Sequence, residues 1–149
     1  MQLSAETIAK LRLVLKNISF LQFLKVNELD ALISALEKRQ FGRGEIIIKQ
    51  GKVGDEFYIL AQGSVGVYRD RFLSRKRIVT LAENAFFGEM ALVNNEPRAA
   101  TVVGDTEGEI YYLSRKSFEQ ILLKNPGIAT IIKQVANIRR DQNRQLDQG

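Results

Sequence analysis

A glycine, an acid and an arginine that lie within eleven positions of each other are the residues of this sequence best suited to chemistry. Gly88 lets the backbone approach a ligand closely because it carries no side chain. Glu89 supplies a carboxylate that only accepts hydrogen bonds, and Arg98 supplies a planar fork that suits two phosphate oxygens. Residues 89–92 are predicted to form one helical turn whose first N–H groups have no partner within the turn. This combination suits a ligand that carries a hydroxyl group and a single phosphate charge.

Two blocks of sequence surround these residues. The first reads Gly88-Glu89-Met90-Ala91-Leu92 and the second, four residues later, reads Pro97-Arg98-Ala99-Ala100-Thr101-Val102. In this order they resemble the phosphate-binding cassette of cyclic-nucleotide-binding domains, which occur in regulatory subunits of cyclic-AMP-dependent protein kinase, bacterial catabolite activators and nucleotide-gated channels. The run from Gly51 to Val65 resembles hairpins of the same family, so the resemblance extends from about Ile18 to Ile138. The alternative is an ordinary strand–turn–strand connection, which leaves the joint appearance of these residue types unexplained.

The resemblance implies that the ligand is a cyclic nucleotide. Arg98 is then expected to bind the two exocyclic phosphate oxygens, and backbone amides around Ala91 and Ala99 to complete the cradle. Glu89, assisted by the backbone of Gly88, is expected to accept the ribose 2′-hydroxyl, the only free hydroxyl of the sugar. The ligand-binding residues predicted in this way are Phe87, Gly88, Glu89, Met90, Ala91, Arg98, Ala99, Ala100 and Arg139.

The base is predicted from one position. Members of the family that favour cyclic GMP often carry Thr directly after the arginine, and this chain has Ala99 there. Cyclic AMP is therefore the expected ligand, with cyclic GMP or dual binding left open. The chain also departs from the family where Asn84 and Ala85 replace the usual glycine and acid. Because Asn tolerates positive φ, we expect the turn to be kept.

The composition excludes several classes of function. The chain contains no Cys and no His, so it has no disulfide framework, no cysteine zinc site and no Ser–His or Cys–His machinery. We therefore expect a protein that is not an enzyme and needs no cofactor or metal beyond its ligand. The net charge of +5 favours anionic partners without selecting one.

The N-terminal region indicates a cytoplasmic protein. It lacks a secretory signal, and the natural start at Met1 mildly argues against truncation. The apolar stretch from Ile8 to Val26 is interrupted by Lys10, Arg12, Lys16 and Lys25, so no membrane span is predicted.

Periodicity predicts an α+β fold that is mainly β: an antiparallel, jelly-roll-like β-roll flanked by N-terminal helices and two C-terminal helices. A single domain is expected over residues 1–149, with helices at 1–38, the roll at 39–114, the cassette at 86–102 and helices at 115–146. Ser4 and Asn27 are the predicted N-caps of the first two helices. Short strands are expected at Glu45–Lys49, Glu56–Leu60, Ser64–Tyr68, Arg77–Leu81 and Glu109–Leu113.

The last helix, from about Ile128 to Leu146, is the expected site of the response. Its apolar residues Ile128, Ile131, Val135 and Ile138, with Gln142 next in the series, are spaced three and four apart. By resemblance this helix closes over the base as a lid, with an aliphatic residue or Arg139 or Arg140 in contact with it. Permanent cover of the roll is an equal alternative, and a weak homodimer through this helix ranks below both, so a monomer is also allowed.

Five basic residues between Arg69 and Arg77 oppose only Asp70. We interpret this cluster as a solvated hairpin tip rather than a docking surface for an acidic partner.

The favoured function is a cyclic-nucleotide sensor module that acts through an unknown effector protein. A transcription regulator would need a DNA-binding helix-turn-helix, for which residues 141–149 are too short, so no nucleic-acid partner is predicted. A regulatory fragment of such a regulator without its DNA-binding part is one alternative. The cytosolic part of a nucleotide-gated channel and a domain that binds another ligand are further alternatives.

Overall fold

The computed structural model describes residues 2–124, 126, 129, 130, 132 and 134. These residues form two compact units. Residues 36–115 make up the β unit, and residues 2–35 together with the described residues from 116 onward make up the helical unit. No helix in the described part of the chain is long and apolar enough to cross a membrane.

The helical unit begins with α1 (Ala5–Lys16), a 3-10 helix (Ser19–Leu21) and α2 (Val26–Ala35). The side-chain oxygen of Ser4 accepts a hydrogen bond from the Thr7 N–H at 3.1 Å, which confirms the predicted N-cap. Apolar residues three and four apart are buried on both helices: Leu11, Val14 and Leu15 on α1, and Leu29, Leu32 and Ile33 on α2.

The N-cap predicted for α2 is wrong. Asn27 lies inside the helix, because α2 begins one residue earlier, at Val26. The Glu28 carboxylate accepts the Lys25 N–H at 2.8 Å, and the Lys25 carbonyl accepts the N–H groups of Glu28 and Leu29 at 3.0 and 2.9 Å. A glutamate within the first turn thus closes the helix from inside, as in one half of a capping box, and leaves Asn27 no capping role.

The β unit contains eight antiparallel strands within the described residues, arranged in two four-stranded sheets. The first sheet has the order β1 (Glu37–Phe41), β8 (Gly108–Ser114), β3 (Glu56–Gln62) and β6 (Phe86–Phe87). The second has the order β2 (Ile46–Ile48), β7 (Thr101–Gly104), β4 (Val65–Arg71) and β5 (Ser74–Leu81). The predicted mainly antiparallel β-roll, with helices before and after it in sequence, is confirmed.

The first strand is the element that periodicity placed least well. β1 begins at Glu37, whereas the roll is predicted to start at residue 39. Its first four side chains are polar and mostly exposed, and only Phe41 is buried. β1 is an edge strand that pairs with β8 alone, so most of its side chains need no apolar character.

Both sheets contribute to one apolar core in the β unit. Its buried residues are Phe41, Ile48, Tyr58, Leu60, Val65, Phe87, Val102 and Ile110. Asn84, in the turn before β6, has φ 72° and donates its N–H to the Leu60 carbonyl at 2.8 Å, as expected for an asparagine that replaces glycine. This turn directs Phe86 and Phe87 into β6.

The chain leaves β8 at Ser114 and enters α3 (Arg115–Leu123). Pro126, Ala129, Thr130, Ile132 and Gln134 are also helical. Most of the helix predicted from Ile128 to Leu146 lies outside the described residues, including Ile128, Ile131, Val135, Ile138, Arg139, Arg140 and Gln142.

Candidate functional site

The backbone of Arg98 is fixed to the connection between β2 and β3. The Arg98 N–H donates to the Lys52 carbonyl at 2.9 Å, and the Gly51 N–H donates to the Arg98 carbonyl at 2.8 Å. Pro97 and Val53 form an isolated antiparallel bridge next to these bonds. Two segments that are more than forty residues apart in sequence therefore hold the arginine in one position.

The guanidinium of Arg98 is directed along the inner side of the cassette. Its Nη1 donates to the Gly88 carbonyl at 3.0 Å and its Nη2 donates to the Glu56 carbonyl at 2.6 Å. The side chain is half-buried, and no carboxylate of the described residues forms a salt bridge with it. Arg98 thus keeps its full charge while its direct partners are neutral carbonyl groups.

Burial lowers the pKa of Arg98 below its ordinary value, and nearby Tyr58, Asp55, Glu56 and Glu89 partly oppose this shift. An arginine remains protonated under these conditions, since its ordinary pKa is far above neutral pH. Nearby carboxylates thus offset only part of the desolvation of this cation.

Two glycines make room for this guanidinium. A Cβ atom at Gly54 would collide with Nε of Arg98, and a Cβ atom at Gly88 would lie 2.9 Å from Nη1. Gly88 also has φ 76°, a conformation that favours glycine. The sequence predicted close approach of the Gly88 backbone to a ligand, and the structure places the arginine side chain there. Gly54 was not predicted, because turn glycines of the roll look alike in sequence.

The predicted helical turn after Gly88 is a 3-10 helix, Glu89–Leu92. Phe87 precedes it in β6 and is buried, as is Ala91 within it, whereas Glu89 and Met90 are half-buried. Glu89 is the first residue of the turn, and its negative charge raises the pKa of Arg98. The predicted acid and the predicted arginine therefore belong to one electrostatic site.

Some backbone N–H groups of the cassette donate hydrogen bonds within the described part of the protein, and others do not. The Ala91 N–H donates to the Gly88 carbonyl at 3.2 Å, so this amide contributes to a phosphate cradle only if that long bond is shared. Ala99 is exposed and Ala100 half-buried, and no hydrogen bond among the described residues engages the N–H group of either. The end of the cassette next to Arg98 therefore offers amides to an anion.

Arg115 is a site residue that sequence reasoning missed. Its Nε donates to the Ala91 carbonyl at 2.7 Å, and its Nη groups donate to the Asn94 carbonyl, to Asn95 Oδ1 and, at 3.4 Å, to the Gly54 carbonyl. One side chain at the start of α3 thus fixes both the cassette turn and the Gly54 turn. The only sequence signal is an arginine directly after a strand, which is too common to single it out.

A cavity of about 480 Å³ opens beside Arg98, within the size range of small-molecule sites. Its lining residues are Ile46, Ile47, Lys49, Lys52, Val53, Gly54, Tyr58 and Arg98. The lining contains three cationic and three aliphatic side chains. The cavity therefore suits a ligand in which an anionic group is attached to an apolar ring. The two lysines and the aliphatic wall were not predicted from the sequence.

Tyr58 contributes an aromatic side chain to the cavity lining. Its ring stacks on Phe87 with centroids 5.2 Å apart, and its hydroxyl donates to Glu56 Oε1 at 2.9 Å. Burial and this hydrogen bond raise the pKa of Tyr58 to about 12. The phenol is therefore neutral at physiological pH, and it raises the pKa of Arg98 only in the alkaline range where the phenol itself ionises.

A larger cavity of about 540 Å³ contains none of the predicted residues. It is lined by Gln40, Phe41, Gly42, Gln62, Glu107, Gly108 and Glu109. Two carboxylates and no cation in the lining disfavour a phosphate, so size alone does not identify the site.

The sequence matches the family model described as cyclic nucleotide-binding domain over residues 38–125. The type II regulatory subunit of cAMP-dependent protein kinase from Drosophila melanogaster is 36% identical over 120 residues, which are 80% of this chain and 31% of that protein. The cGMP-dependent protein kinase of Plasmodium berghei is 33% identical over 110 residues, 73% of this chain and 12% of that protein. The chain spans about a third or less of the length of these relatives.

Solved structures agree with the sequence matches. The structure of cAMP-bound PfPKA-R (141-441) has a TM-score of 0.72 and 29% identity and covers 81% of this chain and 43% of its own. The catabolite activator protein of Thermus thermophilus has a TM-score of 0.66 and 25% identity, with 87% of this chain and 62% of that chain covered.

Proposed function

The chain belongs to the cyclic nucleotide-binding domain family, and on that premise we propose that it binds cyclic AMP in the cavity beside Arg98 and acts as a non-catalytic sensor module. The ligand phosphate contacts Arg98 and the amides of Ala99 and Ala100. The ribose 2′-hydroxyl contacts Glu89, and the base lies against the aliphatic part of the wall.

The observation that supports this proposal best is the electrostatic state of Arg98. A half-buried guanidinium that donates only to the carbonyls of Gly88 and Glu56 has lost water without gaining an anion. A singly charged phosphodiester supplies the missing charge, with two exocyclic oxygens that match the fork. Lys49 and Lys52 in the same wall add attraction at longer range.

The expected preferences for ribose over deoxyribose and for the cyclic over the open phosphate ester follow from the same geometry. A 3′,5′-cyclic ester leaves one free hydroxyl, so an acceptor-only carboxylate next to Gly88 distinguishes ribose from deoxyribose. A 5′-monophosphate carries about one additional charge and one further free hydroxyl, at the 3′ position, and the cassette offers no second fork for that charge. We therefore expect the cyclic ester to bind more tightly than the open one.

The preference for cyclic AMP rests on Ala99 and on the apolar wall. Ile46, Ile47 and Val53 present aliphatic surface to a base and no hydroxyl group for a guanine amino group. Ala99 is exposed at the position where family members that favour cyclic GMP often carry Thr. The P. berghei relative is named as a cGMP-dependent kinase, so both nucleotides belong in the test.

A regulatory rather than catalytic role fits the chemistry of the site. The chain has no His and no Cys, and no cluster of metal-ligating residues occurs among the described residues. The curated relatives named as regulatory subunits are much longer than the matched region. An effector that converts binding into a response is part of the proposal.

Calorimetric titration of the full chain with cyclic AMP, cyclic GMP and 5′-AMP tests the proposal. We expect cyclic AMP to bind tightest and Arg98→Ala to weaken its binding by about 2–5 kcal/mol, roughly 30-fold to several thousandfold. Arg43→Ala, which removes an exposed arginine outside the cavity lining, is the matched control and should leave the affinity unchanged. Equal cyclic AMP affinity in the folded Arg98→Ala protein would refute the assignment.

A further inference from the structure

The hairpin formed by β4 and β5 ends in two large apolar side chains that lie almost fully in solvent. Phe72 is 91% exposed and Leu73 is 90% exposed, the highest values among the large apolar residues that the structure describes. They form the two-residue connection between Arg71 and Ser74, which pair with each other. Two such residues together at a protruding turn are unfavourable in water, so a purely solvated tip does not explain them.

The turn geometry adds a second unfavourable feature. Leu73 has φ 63°, in the left-handed region that asparagine and glycine adopt most easily. Two-residue hairpin connections favour those residues for the same reason. The sequence therefore keeps a leucine where both solvation and backbone conformation disfavour it, which indicates a use for the apolar side chain itself.

The two faces of the hairpin end differ in charge. On one face, Asp70 accepts from Arg75 at 2.6 Å and lies 3.5 Å from Lys49, so both of these cations have an anionic partner. On the other face, Arg69 lies directly opposite Lys76, and Arg71 follows two residues along the same strand. These three cations form no ion pair with any described residue.

Like charges directly opposite each other in a sheet are destabilising. The repulsion between Arg69 and Lys76 is thus a third feature that destabilises the protein on its own. Contact with an anionic surface would relieve this repulsion. We call Arg69, Arg71, Phe72, Leu73 and Lys76 the tip patch. It carries three positive charges and two apolar side chains on the end of one hairpin.

We propose that the tip patch docks on an anionic lipid bilayer. Phe72 and Leu73 enter the boundary between headgroups and acyl chains, and the cations contact lipid phosphates and carboxylates. Strand residues rise about 3.3 Å each, so Arg69 and Lys76 lie roughly 7 Å behind the Arg71–Ser74 end of the hairpin. An apolar surface that enters a bilayer interface lies about 5–10 Å deep, which places those cations at headgroup level.

A bilayer suits this surface better than an acidic protein does. The two apolar side chains stand in solvent at the end of a hairpin. A bilayer accepts such side chains without a preformed pocket, whereas a protein partner needs a complementary cavity. Each cation near an anionic leaflet strengthens binding by about fivefold. Apolar contact and charge together are the two signals that stable peripheral binding requires. This inference does not depend on which nucleotide the cavity binds.

The absence of Trp from the sequence permits a direct test. Phe72→Trp places one fluorophore at the tip of the otherwise unchanged full chain. We expect its emission to shift to shorter wavelength, and its quenching by aqueous acrylamide to fall, with vesicles of phosphatidylcholine and phosphatidylserine at roughly three to one. Phosphatidylcholine vesicles alone should cause neither change. Phe23→Trp, at an exposed phenylalanine of the helical unit, is the matched control and should respond to neither vesicle.

Co-sedimentation with the same vesicles tests the two signals separately. Arg69→Gln with Lys76→Gln should weaken binding about 25-fold, whereas Lys116→Gln, at an exposed lysine outside the hairpin, should leave it unchanged. Phe72→Ser with Leu73→Asn should weaken binding at least tenfold. Since asparagine suits positive φ, this double variant should unfold at the same or a higher temperature than the parent, which excludes misfolding as the cause.

Several results would overturn the proposal. One is a Phe72→Trp spectrum that anionic vesicles leave unchanged. Another is an equal shift with soluble polyglutamate or with single-stranded DNA, which would assign the tip patch to an acidic protein or a nucleic acid. A third is vesicle binding that survives the Phe72→Ser, Leu73→Asn exchange, because binding would then be adsorption by charge alone.

Discussion

The Nη1 atom of Arg98 donates to the carbonyl oxygen of Gly88 at 3.0 Å. This bond joins the cation of the second sequence block to the glycine turn of the first. The arginine is therefore oriented before any ligand arrives, and the ordering cost of a long side chain is already met by the fold.

Arg98→Lys tests the geometry of the fork apart from its charge. Lysine keeps the cation but cannot reach two carbonyls and two phosphate oxygens at once. We expect cyclic AMP affinity to fall by about 1.5–3 kcal/mol, while the urea midpoint of the ligand-free protein changes little. Calorimetry and urea denaturation measure the two quantities. Unchanged affinity would mean that a point charge suffices and that the fork has no role.

Two glycine substitutions should separate binding from stability. Gly54→Ala puts a Cβ against the Arg98 guanidinium without requiring positive φ, so we expect weaker cyclic AMP binding and a modest change in unfolding free energy. Gly44 has φ 82° and open space around it, so Gly44→Ala should destabilise the fold by roughly 1–2 kcal/mol and leave the affinity intact. If both variants lost binding in proportion to stability, Gly54 would have only a structural role.

Arg115→Ala removes the donor that joins the cassette turn to the Gly54 turn. We expect the unfolding free energy to fall by about 2–3 kcal/mol, because the half-buried carbonyls of Ala91 and Asn94 lose a charged partner. Hydrogen exchange of residues 89–95 should become faster, and cyclic AMP affinity should decrease. Lys116→Ala, at the next and exposed position, serves as the control and should change none of the three.

The sequence predicted the parts of this structure that local chemistry determines. Regular strands between turn glycines indicated the antiparallel roll, Ser4 indicated the first N-cap, and Asn84 indicated a positive-φ turn. The start of α2 was wrong because Asn27 is a good cap in isolation, whereas the glutamate one position later already closes the turn. β1 was placed late because an edge strand tolerates polar side chains.

The site was predicted only where residues follow one another in the chain. Glu89 and Arg98 lie in one continuous cassette, so their types and order made them candidates. The partners from distant segments, such as Gly54, Tyr58 and Arg115, enter through pairing of β3 with the cassette and through the start of α3. No local pattern encodes such contacts, since each joins segments about twenty or more residues apart in sequence.

Acid should destabilise the fold through Asp70. The Thr101 hydroxyl and Arg75 donate to its two oxygens at 2.6 Å each, and these bonds hold the pKa of Asp70 below its ordinary value. A depressed folded-state pKa stabilises the protein above the unfolded value, close to pH 4, and this contribution is lost as pH falls through the folded pKa. We expect the urea midpoint to be level down to about pH 5 and to fall below about pH 4.

Asp70→Asn isolates this contribution. The variant should have a lower urea midpoint at neutral pH and a smaller slope in the acid range, by up to one proton. A remaining slope is expected from Asp30 and Asp105, because arginine partners lower the pKa of both carboxyls. An acid slope identical to that of the parent would show that the Thr101–Asp70 bond does not contribute to stability.

The role of Glu89 is tested by pairing a protein variant with a ligand variant. The parent should bind cyclic AMP about 1.5–3 kcal/mol more tightly than 2′-deoxy cyclic AMP, because the deoxy compound cannot donate a hydrogen bond to the Glu89 carboxylate. In Glu89→Ala this difference should shrink to near zero, since neither ligand then finds the acceptor. Glu83→Ala, at an exposed acid in the turn before β6, should keep the full difference. If Glu89→Ala still preferred the ribose, the 2′-hydroxyl would have to contact another acceptor. That result would leave the proposed phosphate contact with Arg98 unaffected.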